Sequence, residues 1–205
     1  MTSSDSALPA DTIEAIEMAP LLPAADCPRP DGRALLDWWL AQPRGGAAAS
    51  PDWLALDPVS LLKWMGWICL YDVIDGGRDV RYRLVGTRIT EQAGVDLTGR
   101  LVSEGVYAST PAVLLEHFRR LDRAPAPTWT KRVMETRNGF IITHDRIWLP
   151  FTRGGGPVVM WLLYLCQLDA AADRLDVARL AGPEYRHRDR DLAPVTLNPP
   201  DQLRR

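Results

Sequence analysis

Residues 67–85 read WICLYDVIDGGRDVRYRLV, and this stretch decides the fold. Trp67 to Ile74 is apolar on both alternating faces, the pattern of a central strand with both sides covered. Asp75-Gly76-Gly77 then turns the chain. Asp79 to Val85 alternates apolar residues with arginine, as a strand nearer the sheet edge does. A hairpin is predicted.

Downstream, Gly86 to Ala93 reads as a short helix ended by Gly94, and Thr110-Pro111 opens a helix that runs to about Asp122. Thr128 to Thr136 is a third strand, Asn138-Gly139 a type I′ hairpin signal, and Phe140 to Leu149 a fourth strand. The glycines at 154–156 turn the chain into a fifth strand, Pro157 to Gln167; no Lys-Ser/Thr pair follows them, so they form no phosphate loop. The order is strand, strand, helices, strand, strand, strand. It predicts an α+β fold, a five-stranded antiparallel sheet with helices on one face.

Upstream, residues 1–32 carry six acids against Arg29 alone, with five prolines, and are expected to be a disordered acidic leader. A helix is expected from Asp31, capped by that residue and ended before Pro43, with Leu35, Leu36, Trp38 and Trp39 as its apolar stripe. Trp53 to Met65 reads as a second helical passage with Asp57 as cap and Pro58 at the first position. Residues 33–65 thus form an N-terminal helical cap, 66–168 the core and 169–205 a weakly structured tail, with a weak helix near Arg186 to Asp191.

The 205 residues carry a net charge of -2, which offers no electrostatic reason to expect nucleic acid or an anionic membrane as partner. Of the basic residues only Lys63 and Lys131 are lysine, a bias typical of GC-rich, most often bacterial, coding sequence. MTSSDSALPADTIEAIE lacks a secretory pattern, and the longest apolar run, Pro157 to Cys166, is too short to span a bilayer; a cytoplasmic protein is expected. Cys27, Cys69 and Cys166 form no C-x-x-C motif, so no metal site is expected, and Cys69 and Cys166 read as buried reduced thiols.

Tyr82 to Arg100, YRLVGTRITEQAGVDLTGR, together with Trp38-Trp39 and Leu149-Pro150-Phe151, resembles the PAS domain family, and within it the single-domain PAS-like proteins of alphaproteobacteria. The resemblance covers roughly residues 33 to 168. It implies a non-catalytic sensory or regulatory module in bacterial signalling, binding a small ligand or a protein partner, with a homodimer expected. The residues that carry it, Gly86, Gly94, Asp96, Thr98 and Gly99, read on their own as a turn scaffold.

The candidate ligand pocket is Trp67, Cys69, Leu114, His117, Phe118, Leu121, His144, Trp148 and Trp161. His117 shares a helical arc with Leu114, Phe118 and Leu121 and is expected to face the sheet. By its place in a PAS fold it is also a candidate haem ligand, though a packed core histidine is the plainer reading. A flavin photosensor is set aside, because Gly86 to Gly94 lacks the cysteine of the light-sensing branch. His144 and Asp145 are consecutive on a strand and point to opposite faces, so they make no catalytic dyad. Leu35, Trp38 and Trp39 are candidate interface residues, lying beside a sheet face expected to be uncovered. A second reading is a small cup-shaped enzyme of ketosteroid-isomerase type, using Asp72 or His117 as acid or base.

Overall fold

A computed structural model describes residues 21–45, 49–93, 95–105, 111–135, 141–166 and 186–188. Seven strands form one sheet: β1 (Leu22–Pro23), β2 (Ile68–Ile74), β3 (Asp79–Val85), β4 (Thr128–Glu135), β5 (Ile141–Thr152), β6 (Val158–Leu165) and β7 (Arg186–Arg188). They lie in the order β1-β4-β5-β6-β2-β3, with β7 also on β4. All the pairings between these strands are antiparallel. The hairpin β2–β3 turns through Asp75, Gly76 and Gly77, all at positive φ. The two helices α2 (Thr87–Ala93) and α3 (Pro111–Arg123) enter between β3 and β4, the element order expected of a PAS domain.

Strand alternation sends side chains to two cores, one on each face of the sheet. Cys69, Tyr71, Val80, Tyr82, Trp148, Trp161 and Leu163 meet Ile89 of α2 and Phe118 and Leu121 of α3 on what is called here the α3 face. Ile68, Ile147, Leu149, Phe151, Leu162 and Tyr164 meet Leu35, Leu36 and Trp39 of the N-terminal helix α1 (Pro30–Leu40) on the α1 face. The expectation of an uncovered sheet face is therefore corrected. Its cover is the chain's own cap, because a stripe of leucine and tryptophan that large removes more apolar surface from water on the sheet than left outside.

Three local corrections follow from the same packing. The segment expected to be disordered is ordered from residue 21: β1 pairs with β4, and Ala24 and Cys27 are buried. Helix α1 begins at Pro30, with Arg29 before it. The Asp31 carboxylate, expected to cap, instead accepts a hydrogen bond of 2.6 Å from the Tyr164 hydroxyl. In the tail, Arg186–Arg188 is a strand on β4 where a weak helix was expected. Trp53–Ala55 and Pro58–Leu61 are single 3-10 turns, with Asp52 and Asp57 accepting from Leu54 N–H and Val59 N–H. The Asn138-Gly139 turn and Gly94 lie outside the described residues.

The glycine-bounded loop after α2 closes the free edge of β3. Thr98 N–H donates to the Asp96 carboxylate at 2.9 Å, Gly99 N–H to the Tyr82 carbonyl and Tyr82 N–H to the Arg100 carbonyl. These bonds occupy edge groups that would otherwise offer a template to another strand.

Candidate functional site

Helix α3 is amphipathic, and its two faces do different work. Glu116 pairs with Arg119 and Arg123 in solvent, while His117, Phe118 and Leu121 are buried over the sheet. Beneath them lies an aromatic layer. Tyr71 meets Phe118 at 4.9 Å between ring centroids and Tyr82 at 5.0 Å; Phe118 stands edge-on to Trp148 at 5.5 Å. Edge and tilted contacts of this kind suit the ring quadrupoles.

Polar groups enter the layer at one end. His117, 3% exposed, packs against Trp148 with ring centroids 4.8 Å apart. Arg146, also 3% exposed, lies 5.6 Å from the Trp148 ring. Thr130 joins the two: its hydroxyl oxygen accepts from Trp148 Nε1 at 3.0 Å and from Arg146 Nε at 3.1 Å. A guanidinium keeps its charge at any physiological pH, so this end of the layer holds a permanent cation among aromatic rings. At the other end Trp161 Nε1 donates to Asp122 at 2.7 Å. Burial holds the Asp122 carboxyl above the usual range, against the pull of that bond.

The predicted pocket residues divide as follows. Cys69, Phe118, Leu121, Trp148 and Trp161 belong to the α3-face core with His117 beside them, and Leu114 packs at its margin. Trp67 ends a 3-10 turn just before β2 and touches both cores. The side chain of His144 lies outside the described residues. Burial pushes the Cys69 thiol up to about 12. The candidate interface residues face inward: Leu35 and Trp39 are buried on the chain's own sheet. Trp39 Nε1 donates to the Pro150 carbonyl, and Trp38, half-buried, donates to Ser60.

Asp72 stands on the α1 face, 3.1 Å from Arg83, the residue bulged out of register opposite β2. His117 is on the other side of the sheet. The two candidates do not share a site, and Asp72 is part-exposed and paired with Arg83 rather than set in an apolar pocket, so nothing here supports the ketosteroid-isomerase reading.

Tyr71, Tyr82, Thr130, Arg146 and Asp122 were missed as site residues. Tyr71 was within reach, two residues from Cys69 on the same strand face. Thr130 was not, because its role depends on β4 lying beside β5 with Thr130 opposite Arg146.

No protein-family model matches the chain, and no curated protein does. Solved structures similar to it include the following two. One concerns a flavin analogue and the mechanism of a light-oxygen-voltage domain; it shares 15% identity over 59% of this chain and 90% of its own, with a TM-score of 0.39. The other is an RNA-binding light-oxygen-voltage receptor, at 16% identity over 68% of this chain and 40% of its own, with a TM-score of 0.40. Both are distant. They correct the expectation on cofactors all the same: lacking a cysteine between Gly86 and Gly94 does not keep the chain apart from flavin photosensors, and that exclusion is withdrawn. The His117 imidazole packs against Trp148 with ring centroids 4.8 Å apart. Among the described residues no cluster of three metal-ligating side chains occurs, and no helix is long and apolar enough to cross a membrane.

Proposed function

We propose that the chain is a PAS-type sensory or regulatory module without catalysis of its own, which takes a small molecule into the layer between α3 and the sheet. The observation that carries this reading is the buried set of His117, Thr130 and Arg146 at one end of an aromatic layer. A core built for stability alone gains little from a cation there, because desolvating a charge is costly even when it is well hydrogen-bonded. A planar ligand with an anionic or carbonyl edge suits the set: the rings take its face and the guanidinium its oxygen.

The signal then passes to a protein partner. A second copy of the chain, in a bacterial cytoplasm, is the simplest arrangement. Leu40, Leu54, Val59 and Leu62 are exposed on the α1 cap and support a contact there.

Native mass spectrometry of freshly purified protein tests ligand and oligomeric state together. The wild type is expected to retain a small molecule that Arg146→Met releases. Bare protein from several expression hosts, with no thermal shift from planar carboxylates, would end the proposal.

A further inference from the structure

Cys27 and Cys166 are far apart in sequence and adjacent in space. Cys27 ends the 3-10 turn Ala24–Asp26, and Cys166 follows the last residue of β6. The first turn of α1 passes over both, and Gly32 is the reason it can. A methyl group built on Gly32 would stand 2.9 Å from Cys166 Sγ, 3.1 Å from Cys27 Sγ and 3.2 Å from Ile147 Cγ1. Both thiols are free and buried, and both sulfurs lie against Gly32. Cysteine content and spacing gave no hint of this pair, since neither thiol has another cysteine nearby in sequence.

We propose that Cys27 and Cys166 form a redox-responsive dithiol, oxidised by a hydroperoxide to a disulfide that fastens the 21–27 segment to the end of β6. The Cys27 thiolate attacks the peroxide: an S–O bond forms, the O–O bond breaks and the other oxygen leaves as hydroxide (from hydrogen peroxide) or alkoxide, so sulfur is oxidised to the sulfenic acid and the peroxide reduced. Cys166 then attacks the Cys27 sulfur. An S–S bond forms, the S–O bond breaks, and the proton of the Cys166 thiol departs in the water released.

The contact between the two sulfurs shifts their titration in opposite directions. It draws the Cys27 thiol below its usual range, while the same contact and burial push Cys166 up. Both residues are nearly inaccessible, Cys27 at 1% and Cys166 at 2% exposure, so peroxide enters when the segment ahead of α1 opens. That segment is tied to the rest of the chain by the β1–β4 pairing, by Ala24 N–H donating to the Pro127 carbonyl and by Arg33 donating to the Cys27 carbonyl. Once formed, the disulfide pins the cap to the sheet. This inference holds whether or not the α3-face layer takes a ligand.

The test uses the full chain, reduced, exposed to hydrogen peroxide and then alkylated in denaturant before peptide mapping. Two of the three thiols are expected to be lost to a linked 27–166 peptide, with Cys69 still alkylated. Cys69→Ser should leave the link intact; Cys27→Ser and Cys166→Ser should each abolish it. The oxidised chain should also melt higher than the reduced one and resist proteolysis ahead of α1. Three alkylated cysteines after exposure, over-oxidised Cys27 beside alkylated Cys166, or a Cys27 link found only between chains would each overturn the proposal.

Discussion

Replacing Thr130 with valine removes one oxygen and keeps the outline of the side chain, so it isolates the junction at the polar end of the α3-face layer. Thr130 is fully buried and accepts from two donors, the Trp148 indole and the Arg146 Nε–H. Losing the acceptor strands the indole N–H, at about 1–3 kcal/mol, and weakens the holding of a charged donor by a similar amount. The added methyl returns about 0.8 kcal/mol of burial. The net loss is roughly 1–5 kcal/mol, which at about 2–4 °C per kcal/mol for a chain of this size lowers Tm by about 2–20 °C. Thr130→Ser is the control: it keeps the oxygen and loses one methyl, at about 1 kcal/mol. Urea unfolding followed by tryptophan fluorescence reads both variants. Equal stability of Thr130→Val and Thr130→Ser would refute the account of Thr130 as the shared acceptor.

Gly86→Ala should cost about 3 kcal/mol or more, because its methyl would collide with the backbone of Met65 and Gly66, atoms that cannot rotate away. Gly99→Ala, with φ +85° and open space around it, should cost about 1–2 kcal/mol, and a reversed order in thermal melts would contradict the close-approach argument. Asp122 is held above its usual range by burial, so it favours the folded state at acid pH and loses that advantage as pH rises and the carboxyl ionises. Asp122→Asn is therefore expected to be at least as stable as wild type at neutral pH, with the gap closing under acid; lower stability at neutral pH would count against it. Cys69 should resist iodoacetamide in the folded chain at pH 8, since burial pushes its thiol up to about 12, and rapid native labelling would show that the α3 face is open.

The strands were legible because period-2 patterns and glycine turns are local signals. The hairpin at 68–85 needed nothing beyond its own residues. What sat on each face was harder to read. An apolar stripe such as Leu35, Leu36 and Trp39 says that a surface must be covered without saying by what, and the sheet of the same chain was the nearest answer. Pro150 looked like a strand end, yet β5 runs on to Thr152. Its pairing with β4 stops at Trp148, so Pro150 lies past the end of the β4 ladder, where the lack of an N–H breaks no β4 bond. At the site, His117 and Phe118 were visible from helix periodicity, while Thr130 and Arg146 came into view only through strand register. The Cys27–Cys166 contact depends on tertiary packing around Gly32 and left no trace in local pattern.

Strand β6 is flanked by β5 and β2 and covered on both faces, with Met160 through Leu165 all buried. Its amides can meet solvent only when the sheet comes apart as a whole. In deuterated buffer their proton signals should outlast those of every other described segment, and their decay would report the free energy of global unfolding without any denaturant. A small molecule seated against Trp161 and Trp148, or an oxidised link at Cys166, would each slow that decay. One strand thus offers a clock on which ligand occupancy and thiol state can both be read.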